Sequence, residues 1–193
     1  DHSQWADIKV PGHIQLQGWG TPQYVNVQYP WDGHQRLTPP HFPEKNPIGC
    51  YVRSFTLPED WAGMDVHLTF HGVESVLFCW VNGQFVGYSQ VAHMTSEFAV
   101  SKYLNAGDND IRVLVFKWSD GTYLEDQDMW RFAGIFRDVS LLSFGESRID
   151  DVHVSASLSQ DYEDGIFALT AFISGANKAR LQLCFQGEVL CQE

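Results

Sequence analysis

Residues 76–89 have the sequence V-L-F-C-W-V-N-G-Q-F-V-G-Y-S, and this stretch decides the fold class. Two apolar runs flank the dipeptide Asn82-Gly83, which readily supplies the positive φ angles that a tight primed turn requires. The stretch therefore predicts a hairpin of two antiparallel strands, residues 76–81 and 84–89.

Alternation of apolar and polar residues recurs on both sides of this hairpin, and no window of a dozen residues shows the 3.6-residue apolar stripe of a helix. In residues 65–71, Val66, Leu68 and Phe70 face one way and the intervening residues the other, as in a half-buried antiparallel strand. Further strands are predicted at residues 50–57, 110–118 and 135–144, and a short helical turn within residues 96–104. Strands of this length with Gly and Asn turns predict an all-β fold, a two-sheet β-sandwich of the jelly-roll type.

The character of the sequence changes after Phe144. A polar break at residues 145–150 precedes three more alternating segments, at residues 151–157, 166–174 and 179–185. Three strands are too few to close a second sandwich. We therefore predict two domains, a complete one at residues 1–144 and the truncated start of another at residues 145–193. The chain also lacks an initiator methionine, so we expect it to be part of a longer protein.

Composition and charge argue against several classes of function. The 193 residues include 24 acidic and 12 basic side chains, and the resulting net charge of -12 is unsuited to binding nucleic acid. No apolar run approaches the ~20 residues that span a bilayer, and the start does not resemble a signal peptide. We therefore expect no membrane association and a cytoplasmic location. The four widely spaced cysteines are predicted to be buried reduced thiols.

Three carboxylates stand close together in L-E-D-Q-D-M-W, residues 124–130. On an extended backbone Asp126 and Asp128 project to the same side as Trp130, and Glu125 to the other. Acids on one strand lie on one side of any substrate, whereas glycoside hydrolysis needs carboxyls about 5 to 10 Å apart that flank the bond. The acids are therefore better suited to binding sugar hydroxyls or a hard cation beside the tryptophan face. The alternative is that they cap a turn and stay solvated.

Asn26 lies within residues 15–46, a segment so rich in Pro, Gly, Tyr and Trp that we expect a long ordered loop. Its amide both donates and accepts hydrogen bonds, which suits a hydroxyl-rich ligand. An ordinary loop-packing role is the alternative. The histidines are expected to face solvent rather than to bind zinc, and no motif for a serine or cysteine nucleophile is present.

Five blocks of sequence carry a resemblance to a known family. They are Y-V-N-V-Q-Y-P-W at 24–31, N-P-I-G-C-Y at 46–51, V-N-G-Q-F-V-G-Y-S-Q at 81–90, S-E-F at 96–98 and W-S-D-G-T-Y-L-E-D-Q-D-M-W-R-F-A-G-I-F-R-D-V at 118–139. In order and spacing they resemble the N-terminal sugar-binding domain of glycoside hydrolase family 2, of the type found in large bacterial β-galactosidases such as that of Escherichia coli. The resemblance covers residues 10–144.

The resemblance implies a galactose-binding-domain-like jelly roll followed by the start of an immunoglobulin-like β-sandwich. In this family the two catalytic glutamates lie in a later (β/α)₈ barrel, so it implies no catalytic residue in this chain. The full-length enzyme would hydrolyse terminal β-D-galactosides with retention, use Na⁺ and Mg²⁺, and form a homo-oligomer. The chain alone is expected to be inactive and to bind neither ion tightly, because its partner, the barrel, is missing.

The resemblance also assigns roles to two residues. It places Asn26 near the substrate, and it implies that Asp128 binds the galactosyl group and a sodium ion whose other protein ligands come from the barrel. The loop at residues 91–94 departs from the family pattern through Val91, Ala92 and His93, and we expect the substrate site not to depend on it. Two other hypotheses stay open, an independent lectin-like carbohydrate-binding module and a purely structural or oligomerisation domain.

Overall fold

A computed structural model describes residues 2–125 and 127–192, and these residues form an all-β structure, as predicted. The strands are β1 Gln23–Val25, β2 Ile48–Thr56, β3 Asp65–Phe70, β4 Val73–Glu74, β5 Val76–Val81, β6 Gln84–Ser89, β7 Ser96–Ala99, β8 Asp108–Phe116, β9 Met129–Arg131, β10 Gly134–Ile135, β11 Val139–Phe144, β12 Arg148–Leu158, β13 Gly165–Ser174, β14 Gln182–Phe185 and β15 Glu188–Gln192. Short 3₁₀ turns occupy Gln15–Gln17, Glu59–Trp61, Ser101–Tyr103 and Asp120–Tyr123. In this part of the chain no helix is long and apolar enough to cross a membrane.

The chain divides into two compact units, one ending at Ser143 and the other beginning at Phe144. The first contains a four-stranded sheet in the order β2-β8-β5-β6, a three-stranded sheet in the order β11-β3-β7, and two short ladders, β1–β9 and β10–β4. Inward-facing residues of both larger sheets form one hydrophobic core. The first unit is therefore a β-sandwich.

Strand β5 illustrates how the period-two pattern builds this core. Leu77, Cys79 and Val81 are at most 2% exposed, whereas the intervening Phe78 and Trp80 lie on the outer face of the sheet and are only partly buried. The core-facing residues of β3 and β8 alternate in the same way. Because successive side chains of a strand point to opposite faces, one register fixes which residues of each strand reach the core.

The hairpin at residues 76–89 is confirmed. β5 and β6 pair antiparallel with Val81 opposite Gln84, and the turn residues Asn82 and Gly83 have φ angles of 50° and 75°. The Asn82 side chain also donates to the carbonyl of Tyr103 at 2.8 Å. The turn therefore closes the hairpin and is also bonded to the 3₁₀ turn Ser101–Tyr103.

Some boundaries differ from the predictions for identifiable reasons. The predicted strand at residues 135–144 is two strands, β10 and β11, because the backbone between them bonds elsewhere. The Arg137 N–H donates to the Gly72 carbonyl, and the Asp138 carbonyl accepts from the His71 N–H. The short helical turn predicted within residues 96–104 is the 3₁₀ turn Ser101–Tyr103, and strand β7 precedes it.

The prediction that the cysteines are buried is mostly wrong. All four thiols are free, but only Cys79 is buried, while Cys50, Cys184 and Cys191 are exposed. Cys50 lies on the outer face of the four-stranded sheet, opposite Leu114 of β8. An alternating strand pattern shows that one face is apolar, but not whether another layer covers that face.

The second unit consists of two antiparallel hairpins, β12–β13 and β14–β15. Strand β15 is additional to the three predicted strands. Along β12–β13 apolar pairs such as Val154 opposite Leu169 and Ala156 opposite Phe167 share one face of the hairpin. That these strands begin an immunoglobulin-like domain stays a prediction.

Three charged groups are buried in the first unit near β4 and β9. Glu74, Lys117 and Arg131 are 8%, 7% and 3% exposed. Burial raises the pKa of Glu74 to about 7; the positive charges of Arg131 and Lys117 lower it, and the negative charge of Glu125 raises it further. Desolvation therefore outweighs the two cations at this carboxyl group.

We predict that Glu74 makes the first unit less stable as the pH rises from about 4.5 to about 7. In this window the folded state holds the Glu74 proton more tightly than the unfolded chain, so deprotonation favours unfolding by about 3 kcal/mol once complete. Glu74→Gln should therefore gain stability relative to the natural chain as the pH rises, measured by urea unfolding at several pH values. Exposed Glu59→Gln is the control, and a stability difference for Glu74→Gln that is independent of pH would contradict the prediction.

We predict that shortening a single core side chain destabilises the first unit. Leu68 is 1% exposed, so Leu68→Ala should lower the free energy of unfolding by about 2 to 5 kcal/mol, through lost burial and the cavity left behind. The matched change Leu124→Ala, at a side chain 86% exposed, should cost less than about 0.5 kcal/mol. All seven tryptophans precede Ser143, so their fluorescence in urea reports on the first unit. Equal losses in the two variants would refute the assigned core.

Candidate functional site

A two-stranded ladder, β1–β9, joins two distant segments of the chain and is called the ribbon below. Its antiparallel register places Tyr24 opposite Trp130 and Val25 opposite Met129. Asn26 directly follows β1, and Asp128 directly precedes β9. Both are site residues predicted from the sequence. The continuing register therefore brings these two residues to the same end of the ribbon.

One face of the ribbon carries aromatic side chains and an acid. Tyr24 and Trp130 are 50% and 53% exposed, and their ring centroids lie 5.6 Å apart at an interplanar angle of 55°. The Tyr24 hydroxyl donates a hydrogen bond to Oδ1 of Asp128, which is its diagonal neighbour across the strands. This hydrogen bond is the main reason that the pKa of Tyr24 is raised.

Tyr24 holds one oxygen of the Asp128 carboxylate and leaves the other open. Within residues 2–125 and 127–192 the second oxygen accepts no hydrogen bond, and the residue is exposed. The exposed amide of Asn26 likewise has no hydrogen-bond partner in the described ranges. A carboxylate oxygen, an amide and an exposed tryptophan face are the kinds of group that contact sugars.

The segment that leads to Asp128 starts from the 3₁₀ turn Asp120–Tyr123. Ser119 caps this turn, because its N–H donates to the Thr122 hydroxyl at 3.1 Å while the Thr122 N–H donates to the Ser119 carbonyl. The Glu125 N–H donates to the Gly121 carbonyl at 3.0 Å. The extended backbone expected from residue 124 onward is therefore not observed at Leu124 and Glu125.

Glu125 fixes the loop. Its carboxylate accepts a hydrogen bond from the Ala92 N–H at 3.1 Å, and burial raises its pKa. Asp126, which we expected to share a side with Asp128, lies outside the described residues.

The loop at residues 91–94 contacts the segment that precedes Asp128. That the substrate site does not depend on this loop stays a prediction. Ala92 bonds Glu125, and the His93 carbonyl accepts from Nη1 of Arg137 at 2.8 Å. Both contacts use backbone atoms of the loop. Side chains in the loop can therefore change while it continues to hold the segment that precedes Asp128.

A row of stacked aromatic rings extends from Trp130. Phe132 lies 6.1 Å from it with nearly parallel rings, and His13 stacks on Phe132 at 4.7 Å and on Phe136 at 5.1 Å. Burial lowers the pKa of His13. Sequence reasoning missed Tyr24, His13 and Phe132, although the alternation of Q-Y-V-N at residues 23–26 would have placed Tyr24 on the same face as Asn26.

One other feature is a weaker candidate for a site. A cavity of about 730 Å³ lies beside the start of β3, lined by apolar groups such as Trp61, Met64 and Leu104. In the part of the chain that the structure describes, no three His, Cys, Asp or Glu side chains come together as metal ligands.

Curated relatives match most of this chain. The β-galactosidase of Priestia megaterium (strain DSM 319 / IMG 1521) is 48% identical over 173 residues, which are 89% of this chain and 17% of that protein. The β-galactosidase of Lactobacillus delbrueckii subsp. bulgaricus is 43% identical over 174 residues, which are 90% and 17% of the respective lengths. The chain therefore spans about a sixth of the length of these relatives.

Solved structures share the fold at low sequence identity. A β-glycosidase from Bacteroides vulgatus superposes with a TM-score of 0.59 at 23% identity, over 75% of this chain and 19% of that one. A β-glucuronidase from Ruminococcus gnavus, in complex with uronic deoxynojirimycin, gives 0.64 at 16% identity, over 76% and 28%.

A family match covers the whole first unit apart from its initial residue. The sequence model for "Glycosyl hydrolases family 2, sugar binding domain" matches residues 2–144. That range contains both the β-sandwich and the ribbon. The chain belongs to glycoside hydrolase family 2, and residues 2–144 are its sugar-binding domain.

Proposed function

We propose that this chain is the non-catalytic N-terminal part of a β-galactosidase that hydrolyses terminal β-D-galactosides with retention, and that Asp128 and Asn26 contribute to its substrate pocket. The observation that carries the proposal is the open second oxygen of Asp128, whose Oδ1 accepts a hydrogen bond from Tyr24, on the ribbon face where Trp130 is exposed. The activity named for the relatives at 43% to 48% identity supports the substrate class.

The geometry favours binding over catalysis at Asp128. Hydrolysis of a glycosidic bond needs two carboxyl groups that flank it, about 5 to 10 Å apart. The nearby acid Glu125 is engaged by the Ala92 N–H. Asp128 can instead accept a hydrogen bond from a sugar hydroxyl, while Trp130 packs on the C–H face of the ring.

The same open oxygen fits a sodium ion, which prefers oxygen ligands. Asp128 would be the ligand from this chain, with the remaining protein ligands supplied by the catalytic barrel. A bound sodium ion would supply positive charge that attracts a sugar hydroxyl oxygen. The site of the magnesium ion is proposed to lie outside this chain, and neither ion is expected to bind the chain tightly.

An independent lectin-like module is the second candidate, favoured by the exposed rings of Tyr24 and Trp130. The family role is preferred because the ribbon presents few polar groups for a sugar, and few contacts give little net affinity after the cost of association. The two candidates differ in whether the chain binds sugar without the barrel.

In the complete enzyme, Asp128→Asn should raise KM for a chromogenic β-galactoside about 10-fold or more and weaken activation by sodium. The carboxamide loses the negative charge that strengthens the hydrogen bond and attracts the cation, a loss of about 1.5 to 3 kcal/mol. Asp60→Asn, at an exposed aspartate in the 3₁₀ turn Glu59–Trp61, is the control. Unchanged KM and sodium response in Asp128→Asn would refute the assigned role and favour a structural domain.

The isolated chain should neither hydrolyse the chromogenic galactoside nor bind galactose at concentrations up to about 10 mM, because it has one side of a pocket. Tryptophan fluorescence titration provides the binding measurement. Saturable binding that Trp130→Ala abolishes would establish the lectin-like module instead. Turnover by the pure chain would contradict the assignment of catalysis to the barrel.

A further inference from the structure

Arg131 is the last residue of β9 and is buried directly behind the site. Its side chain is 3% exposed, and its backbone pairs with Gln23 of β1. The guanidinium group donates from Nη1 to the Glu125 carbonyl at 3.3 Å and from Nη2 to the Gln127 carbonyl. One side chain thus bonds two backbone carbonyls in the segment that immediately precedes Asp128.

This arrangement uses a property that arginine has and lysine lacks. A guanidinium group is planar and presents several donors at fixed angles, so it can bond two carbonyl groups in a set geometry. A lysine ammonium carries the same charge on a flexible stem, without that planar fork. The two contacts therefore depend on the shape of the group in addition to its charge.

Burying the charge is costly, and other groups partly offset the cost. Glu74 interacts electrostatically with both Arg131 and Lys117. Lys117 is also buried, but it directly follows β8, and its ammonium lies over the Trp118 ring at 4.7 Å. The two cations thus share an acid, and of the two it is Arg131 that donates to the carbonyls of Glu125 and Gln127.

Asp128 is consequently held from two sides. Tyr24 bonds its carboxylate from the ribbon, and Arg131 bonds the backbone that leads into it. The Glu125 contact with Ala92 anchors the start of the same segment. If the Arg131 contacts were lost, the carboxylate would keep its hydroxyl donor, but its backbone could move relative to the ribbon.

We propose that Arg131 is a positioning residue that sets the direction of the Asp128 carboxylate toward ligand by fixing the two carbonyls before it. The proposal rests on the function proposed for Asp128. It differs from a purely structural role for Arg131, in which the side chain only fills the core and balances Glu74.

The test uses the complete enzyme with Arg131→Lys, which keeps the charge and loses the planar fork. KM for the chromogenic galactoside is expected to rise about 10-fold, with a smaller change in kcat and a higher sodium concentration for half-activation. Amide hydrogen exchange at residues 124–128 should become about 10-fold faster without added galactoside or sodium. Lys117→Met, which removes a buried cation beside the same Glu74, should lower Tm but leave KM and the sodium response unchanged.

A double-mutant cycle separates positioning from stability. If Arg131 acts through Asp128, Arg131→Lys should cause no further rise in KM in an Asp128→Asn background. Additive effects, or unchanged exchange at residues 124–128, would overturn the proposal. An Asp128→Asn enzyme with normal KM would instead overturn the underlying function. Should Arg131→Lys not fold, Arg131→Gln, with a single carboxamide donor, replaces it and must show the same non-additivity.

Discussion

The pairing of β1 with β9 is the constraint on which the candidate site depends. Three residues of an otherwise irregular N-terminal segment bond to three residues that follow an acidic loop. This short ladder places Tyr24 beside Trp130 and Asp128, and it brings Asn26 to the same end. The sandwich provides the rigid base. Without the ladder, however, Tyr24 would lie in one loop, and Asp128 and Trp130 in another, with nothing to bring the two loops together.

The segment before Asp128 is fixed by hydrogen bonds in which one partner is a backbone group. The Ala92 N–H binds the Glu125 carboxylate, and the carbonyls of Glu125 and Gln127 accept from Arg131. Such contacts do not depend on the identity of the residue that supplies the backbone atom. The side chains of the loop at residues 91–94 can therefore vary while its backbone continues to hold the site segment.

Local signals in the sequence predicted the sandwich well, and long-range pairing limited what could be predicted about the site. The Asn82-Gly83 turn and the alternation in β3 and β5 are properties of neighbouring residues, so the hairpin and core followed directly. β1 was missed because it is three residues long and its partner is distant in sequence. Asp128 was singled out through its motif, whereas the motif gave no sign that Arg131 is buried or that Tyr24 reaches the carboxylate.

The distance along the chain between Tyr24 and Asp128 has a consequence for the order of folding. The two residues are 104 positions apart, so closing their contact confines a loop that contains strands β2 to β8. Part of the entropic cost of such a closure is removed once the intervening strands have formed and shortened the effective loop. We therefore expect the hairpin of β5 and β6 to form before the ribbon. In that order a completed ribbon marks a completed sandwich, and Tyr24, Asp128 and Trp130 come together only on a scaffold already able to hold them.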